Sequence, residues 1–196
     1  MLSCILLSAG SSKRFGSPKA LAQLSTGNVI EYVQRNLIKT SINEIIVVLG
    51  AHAEKIEPFL LDHKNVRFVY NKDHNFGQTS SFKVGLQQVT NNSTGFFLLP
   101  VDSPFVSTMT LESLISLFNA KKPKILIPSY MGKKGHPPLF CARLKSEFLA
   151  LDNGVGINTV AHKYQEETII FSVEDSGVTA TFNTPEEFER VKKEFI

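Results

Sequence analysis

Short hydrophobic runs alternate with amphipathic segments through the first two thirds of the chain. Each run is almost continuously apolar and ends at turn-forming residues, a pattern typical of strands that are covered on both faces of a parallel sheet. The segments between them carry apolar residues at helical spacing, as at residues 29–38 and 111–118. The predicted strands are Ser3–Ala9, Glu44–Leu49, Val66–Tyr70, Gly95–Pro100 and Lys124–Ser129.

The order strand, helix, strand, helix, strand predicts an α/β fold. We expect a three-layer α/β/α sandwich with a mostly parallel sheet and right-handed crossovers. The second half is less regular, and there we predict a strand in "PPLFC" at residues 137–141, a helix at Arg143–Leu151 and a strand at Thr168–Val173. A last helix should begin at Pro185, because proline fits a first helical turn and the glutamates after it favour the positive end of the helix dipole.

Three loops of this fold are expected to carry the chemistry. Ligands of open parallel sheets bind beyond the carboxyl ends of the strands, where neighbouring loops meet. The loops concerned are those that follow Ala9, Tyr70 and Pro100.

Composition narrows the class of protein. A chain of 196 residues, 42% of them hydrophobic, has the size of one domain, and we expect residues 1–196 to form it. The net charge of +3 is small and the basic residues are dispersed, which argues against a nucleic-acid partner. Cys4 and Cys141 have no C-x-x-C partner and are too few for a disulfide framework, which indicates a cytoplasmic protein. No apolar run approaches the ~20 residues of a membrane-spanning helix, so no membrane partner is expected.

The first loop lies in "LLSAGSSKRFGSPK", and it carries Lys13, Arg14 and Lys19 without an acidic neighbour. Gly10 is expected to adopt backbone angles closed to other residues and to turn successive amides toward an anion. Arg14 and Lys19 would add charge-assisted hydrogen bonds, so the loop indicates a polyphosphate ligand. A solvated basic turn is the other interpretation. The loop matches neither G-x-x-x-x-G-K-[ST] nor G-x-G-x-x-G, which excludes the two familiar nucleotide loops.

The same loop resembles the signature of the NTP transferase family, roughly A-G-x-S-x-R-[MF]-G-x-x-K-x-L. The matching residues are Ala9, Gly10, Ser12, Arg14, Phe15, Gly16, Lys19 and Leu21. The most similar branch is that of the molybdenum cofactor cytidylyltransferases, because their guanylyltransferase cousins usually carry a double glycine where this chain has Ala9 and Gly10. The resemblance implies a Rossmann-like sheet of the nucleotide-diphospho-sugar transferase type. The residues implied to bind the nucleotide here are Ala9, Gly10, Ser11, Ser12, Arg14 and Lys19.

The second loop, "NKDHNFGQTSSFKVGL", resembles the next block of this branch, an asparagine followed by a glycine and a serine cluster that opens a helix. Groups at a helix start can bind a base edge, ribose or phosphate, because the first N–H groups have no partner inside the helix. The resemblance implies Asn71, Ser80 and Ser81 as further nucleotide contacts. Alternatively, Thr79 or Ser80 is a simple N-cap.

The third loop, in "FFLLPVDSPFV", places Asp102 just beyond a buried strand. A carboxylate there can hold Mg²⁺, which usually takes one or two protein carboxylates together with phosphate oxygens. A capping role in a turn is the other interpretation of an isolated aspartate. The family's x-D-x-P pattern, matched by Asp102 and Pro104, implies that Asp102 is the main metal ligand.

The C-terminal block departs from the family pattern. The branch commonly shows D-[IV]-D-T-P-E-D, whereas this chain reads "ATFNTPEEF", with Thr181 and Asn183 at the acidic positions. Sugar nucleotidyltransferases resemble this arrangement in using asparagine as a metal ligand, so Asn183 is expected to be the second ligand of Mg²⁺. "LDNGVGINTV" follows the family's G-D-x-G-x-R segment only loosely and lacks the arginine, which leaves the acceptor open.

The "GHPPLF" segment resembles the G-H-P motif of the same branch. His136 would contact the acceptor phosphate or shape the turn, and both interpretations remain open. The other histidines show no metal-ligand spacing and are expected at the surface. They are His52, His63, His74 and His162.

The resemblance implies a single nucleotidyltransferase domain that moves CMP from CTP to a phosphorylated acceptor such as molybdopterin and releases pyrophosphate. Arg14, Lys19 and Asp102 would be its catalytic residues. The implied partners are the nucleoside triphosphate, the small-molecule acceptor and a molybdoenzyme or its chaperone. The alternatives are a guanylyl- or sugar-phosphate-type transferase, or a non-catalytic nucleotide-binding accessory protein, which the altered Thr181–Asn183 block would permit.

Overall fold

The computed structural model describes residues 1–196, and strands and helices alternate in it between residues 27 and 130. The strands are β1 Leu2–Ser8, β2 Gln23–Leu24, β3 Gly27–Asn28, β4 Glu44–Leu49, β5 Val66–Tyr70, β6 Gly95–Pro100, β7 Ile125–Tyr130, β8 Lys133–Lys134, β9 Leu139–Cys141 and β10 Thr168–Ser172. The helices are α1 Val29–Ile38, α2 Ala53–Ile56, α3 Gln78–Gln88, α4 Thr108–Lys121, α5 Lys145–Leu149, α6 Asn158–Lys163 and α7 Pro185–Phe195.

The main sheet has the strand order β10-β7-β9-β6-β1-β4-β5, with β8 attached to β7. Its pairings β5–β4, β4–β1, β1–β6 and β7–β10 are parallel, while β9 runs antiparallel to both β6 and β7. The predicted mostly parallel sheet is therefore confirmed. In register, Leu7 of β1 pairs with Val48 of β4 on one side and with Pro100 of β6 on the other. The carboxyl ends of these central strands consequently meet at one edge of the sheet.

Helices cover both faces of this sheet. Successive side chains of a strand point to opposite faces, and β1 accordingly places Cys4 and Leu6 in one hydrophobic cluster and Ile5 and Leu7 in another. The first cluster contains the apolar faces of α1, α4 and α7, and the second contains those of α3, α5 and α6. The three-layer α/β/α sandwich is confirmed.

One predicted strand differs in its environment. Val66–Tyr70 is β5, as predicted, but it is the last strand of the sheet and is not covered on both faces. Phe68 is 42% exposed and Tyr70 47% exposed. An edge strand lacks a neighbour on one side, and its hydrophobic composition does not reveal that position.

The helix predicted at Arg143–Leu151 is shorter in the structure. A single 3₁₀ turn occupies Ala142–Leu144, and α5 follows over Lys145–Leu149. In "PPLFC" the strand β9 begins at Leu139, after the two prolines, which have no N–H to donate to a sheet ladder. The last helix begins at Pro185 as predicted. None of the helices combines the length and apolar character that crossing a membrane requires.

Candidate active site

A cleft of about 490 Å³ opens at the carboxyl edge of the central strands. Its walls come from the loops after β1, β5 and β6, as the strand order predicts, and from the segment before α7. The residues that line it from these segments include Ser8–Arg14, Pro18–Ala20, His74, Asn75, Gly77, Gln78, Val101, Asp102 and Asn183.

The first loop turns at Ser12 and Gly16, and the expectation for Gly10 is wrong. Ser12 has a φ of 51° and Gly16 a φ of 77°, whereas Gly10 is not among the residues with positive φ. The amides of Phe15 and Gly16 both donate to the Ser12 carbonyl, at 2.9 and 3.1 Å. A Cβ added to Gly10 would meet no atom within 4 Å, so the missing side chain leaves open space in the cleft and is not needed for the turn.

Free backbone donors line the same loop. None of the amides of residues 10–14 donates a hydrogen bond to another protein group. Backbone N–H groups that lie at a cleft without a partner can bind an anion, and the loop adds the charges of Lys13, Arg14 and Lys19. This arrangement supports a polyphosphate more than a solvated turn.

An aromatic cluster holds the loop against the C-terminal block. The buried ring of Phe15 lies 5.5 Å from that of Phe182 and 6.0 Å from that of Phe188, between ring centroids. Aromatic pairs at such distances contribute about 0.5–1.5 kcal/mol beyond their buried area. The Phe182 amide also donates to the Asp102 carbonyl at 3.2 Å. Three distant segments of the chain are thereby joined beside the cleft.

A cluster of charged and amide groups lies in the cleft where these segments meet. The Lys19 ammonium donates to Asp102 Oδ2 at 2.7 Å and to Asn183 Oδ1 at 2.9 Å. The Arg14 guanidinium donates to the same Asn183 oxygen at 2.9 Å. The structure thus brings together four of the predicted catalytic and metal-binding residues.

The two proposed metal ligands fit a hard divalent cation. Asp102 offers a carboxylate and Asn183 an amide oxygen, and one ammonium nitrogen contacts both, so the two oxygens lie within reach of a single cation. Nowhere in the structure do three or more His, Cys, Asp or Glu residues group as a metal site. Two oxygen ligands suit a cation such as Mg²⁺ that retains waters and shares phosphate oxygens with a substrate.

The residues predicted in the second loop form a buried network. The Asn71 amide donates to the hydroxyls of Ser80 and Ser81, at 3.0 and 2.9 Å, and its oxygen accepts from the Asp73 amide. Only Ser81 of these three predicted contacts lines the cleft. Nucleotide binding by Asn71 and Ser80 stays a prediction, and their observed role is to hold the loop against α3.

Neither Thr79 nor Ser80 is the N-cap of this helix. The N-cap position is Gly77, with a φ of 92° and no side-chain cap, and α3 begins at Gln78. The Ser80 hydroxyl lies within 3.0 Å of the carbonyls of Asp73 and Gly77. The expected cap is therefore replaced by a serine that bonds back into the loop.

His136 lies next to the cleft but does not line it. Its Nδ1 is buried without a hydrogen-bond partner. Burial lowers the pKa of His136 below its ordinary 6.5, and the Asp102 carboxylate opposes part of this shift. The backbone amide of His136 donates to the Val178 carbonyl at 2.7 Å, which supports the turn-shaping interpretation.

The loop after β4 packs against the first loop, a contact that the sequence did not suggest. The Ala51 amide donates to the Ala9 carbonyl at 3.1 Å, and His52 Nε2 lies 3.0 Å from the Ser11 carbonyl. His74 lines the cleft. The partial exposure of His52 and His74 agrees with their expected surface positions. Their contacts were not predicted, because contacts between loops of different strands leave no local signal in a sequence.

The thiols take no part in the cleft. Burial raises the pKa of the Cys4 thiol, and Cys141 is half-buried and free. Neither cysteine lines the cleft.

Residues 4–168 match the family described as MobA-like NTP transferase domain. The chain is 20% identical over 194 residues to a molybdenum cofactor cytidylyltransferase of Escherichia coli, covering 99% of this chain and 97% of that protein. It is 26% identical over 206 residues to a Natranaerobius thermophilus protein named "Probable molybdenum cofactor guanylyltransferase", covering 98% and 95%. The crystal structure of Rv0371c from Mycobacterium tuberculosis has a TM-score of 0.85 and 23% identity, over 98% of this chain and 97% of that one. Another structure of Rv0371c, with a TM-score of 0.81, is a complex with manganese.

Proposed function

The chain belongs to the family of MobA-like NTP transferases and is a nucleotidyltransferase, and we propose that it transfers CMP from CTP to a phosphorylated acceptor of the molybdopterin kind. The observation that carries the proposal is the cluster in which Lys19 contacts both Asp102 and Asn183 beside a loop of free amides. We also propose that residues 1–196 act as one domain, and that a molybdoenzyme or its chaperone receives the product.

In the proposed reaction an acceptor phosphate oxygen attacks the α-phosphorus of the nucleotide. A phosphorus–oxygen bond forms to the acceptor, the bond to the bridging oxygen breaks, and pyrophosphate leaves with the electron pair. Such transfers need positioning and neutralisation of charge more than covalent help. No general base is needed, because a phosphate monoester is already ionised at neutral pH.

Different residues of the cleft would bind the phosphates and the metal ion. The amides of residues 10–14 and the side chains of Arg14 and Lys19 would hold the phosphates. Asp102 and Asn183 would hold a divalent cation, Mg²⁺ or Mn²⁺, which when bound neutralises charge on the phosphate oxygens. A manganese complex of the similar Rv0371c structure supports a metal of this type.

One residue of the cleft bears on the choice of base. Ala9, where guanylyltransferases of this family usually carry glycine, lines the cleft and favours CTP. The second candidate is guanylyl transfer, and it is favoured by the higher identity to the guanylyltransferase relative, 26% compared with 20% for the cytidylyltransferase.

Pyrophosphate release from each of the four nucleoside triphosphates tests both candidates. The assay contains Mg²⁺ or Mn²⁺ and either molybdopterin or a sugar 1-phosphate as the acceptor, with acceptor-free reactions as the control. We expect release with CTP, molybdopterin and metal together. A preference for GTP would replace the cytidylyl assignment, release with the sugar phosphate would replace the acceptor, and no release with any pair would refute the proposal.

A further inference from the structure

We infer that Lys19 blocks the metal ligands until a nucleotide binds, so that the divalent cation and the triphosphate bind cooperatively. The inference rests on the proposed function, because it takes Asp102 and Asn183 as metal ligands and the first loop as the phosphate site. It adds an order to the binding events and assigns that order to one side chain.

The Lys19 ammonium contacts both proposed ligand atoms at once. Its Nζ lies 2.7 Å from Asp102 Oδ2 and 2.9 Å from Asn183 Oδ1. The Lys19 side chain is 12% exposed and that of Asp102 25% exposed, so water screens this pair less than a pair on an open surface. A positive charge therefore already lies where a metal ion would bind.

Both lone pairs of the Asn183 side-chain oxygen already accept hydrogen bonds. An amide oxygen accepts two hydrogen bonds, and Asn183 Oδ1 receives one from Lys19 and one from Arg14, each at 2.9 Å. A cation can use this oxygen only after one donor leaves. Because Lys19 also contacts Asp102, departure of Lys19 frees both ligands in one movement.

A bound triphosphate offers the Lys19 ammonium other anionic partners. Lysine carries a compact charge on a flexible stem with rotatable donors, and the free amides of residues 10–14 direct phosphates to the same cleft. Without nucleotide, a metal ion must displace the ammonium and leave it without an anion in a part-buried site. With nucleotide, Lys19 can move to the phosphate oxygens while the metal takes Asp102 and Asn183.

Mn²⁺ binding to the nucleotide-free protein, followed by the electron paramagnetic resonance of free Mn²⁺, tests the blockade. Lys19→Met deletes the charge and keeps an apolar stem beside Phe182, whose ring centroid lies 5.8 Å from the ammonium. We expect this variant to bind Mn²⁺ about tenfold more tightly than the wild type. Lys64→Met is the matched control, because Lys64 is an exposed lysine outside the cleft, and it should change Mn²⁺ affinity about twofold or less. Circular dichroism establishes that both variants fold.

A second measurement adds a CTP analogue with a methylene bridge between the α- and β-phosphorus atoms. The analogue should raise Mn²⁺ affinity by a larger factor in the wild type than in Lys19→Met, because only the wild type has a blockade to release. If Lys19→Met binds Mn²⁺ no more tightly than the wild type, or if Lys64→Met gains as much, the inference is overturned, and turnover by the wild type would leave the proposed function standing. If the wild type binds no Mn²⁺ even with the analogue, both are overturned.

Discussion

Lys19 and Asp102 form an ion pair whose contribution to the free energy of unfolding is expected to be small. Both side chains are mostly withdrawn from water, at 12% and 25% exposure. Removing charges from water costs free energy that offsets much of their attraction, and partly exposed pairs contribute about 0–1 kcal/mol. A pair placed in a cleft beside unpaired amides is better explained by ligand binding.

Asp102→Ala should remove metal-dependent turnover and leave the fold intact. We expect pyrophosphate release to fall at least about 100-fold, because the cation loses its only carboxylate ligand in the cleft. The free energy of unfolding should fall by about 1–3 kcal/mol, because Lys19 loses one of its two partners in a part-buried site. Asp62→Ala, which removes an exposed carboxylate outside the cleft, is the control and should retain activity. Turnover that survives in Asp102→Ala would refute the assigned role.

Burial of His136 should make the free energy of unfolding depend on pH. Its pKa lies below 6.5 in the folded protein because of burial, so the unfolded chain binds more protons in the window below pH 6.5. The free energy of unfolding should therefore fall as the pH drops through that window. Urea unfolding between pH of about 5 and 7 measures the slope, and His136→Asn should reduce it. An identical slope in the variant would show that other groups cause the dependence.

At the scale of elements, the loop after β4 braces the loop after β1. Gly50 packs closely against Ala9 and His74. A Cβ added to it would lie 2.5 Å from the Ala9 carbonyl oxygen and 2.9 Å from the His74 Cβ. The next two residues, Ala51 and His52, contact the carbonyls of Ala9 and Ser11 in the first loop. The position of the loop that we propose binds phosphates therefore depends on a glycine outside it.

Gly50→Ala should destabilise the protein and weaken nucleotide binding together. Overpacking of this kind typically costs about 1–3 kcal/mol, and here the strain would displace the loop proposed to hold the phosphates. Denaturant unfolding and a CTP titration measure the two effects. Gly154→Ala serves as the control, since a Cβ there meets no atom within 4 Å and the residue has no positive φ. A stable Gly50→Ala variant with wild-type affinity would contradict the bracing role.

At the scale of the whole molecule, the core is complete without a metal. Two hydrophobic clusters, one on each face of the sheet, contain the apolar sides of the helices. No group of three or more metal-ligating side chains exists to hold the fold together. The cation is expected to act in catalysis and not in folding.

Removal of the metal ion with EDTA should distinguish a catalytic role of the cation from a role in folding. EDTA is expected to abolish turnover and to shift the melting temperature by less than about 1 °C, because the two hydrophobic clusters that form the core lie on the faces of the sheet and contain neither of the proposed metal ligands. A CTP analogue with Mn²⁺ at about a hundred times the dissociation constant should raise stability by about 2.7 kcal/mol through mass action. Differential scanning calorimetry measures both. A large loss of stability with EDTA alone would reveal a structural metal.

Local patterns predicted most of the fold. The bounds of β4, β5 and β6 agree with the predicted runs, because apolar runs between turn residues reflect burial in a sheet. The short strands β2 and β3 and the helix α6 were missed, since elements of two to six residues carry too little periodicity. The edge position of β5 also depends on the order of strands, which no single run encodes.

The candidate residues of the cleft could be named from the chain alone, but their grouping could not. The loop sequence indicates a polyphosphate ligand, and the resemblance of the segments around Asp102 and Asn183 to the family implies the metal ligands, because residue type and motif are local properties. The hydrogen bond from Lys19 to Asn183 joins residues 164 positions apart, and the contacts of Phe15 with Phe182 and of His52 with Ser11 are also non-local. Such contacts depend on strand order and on packing across the sheet edge. The blockade by Lys19 became visible only when the folded chain placed one ammonium on two oxygens.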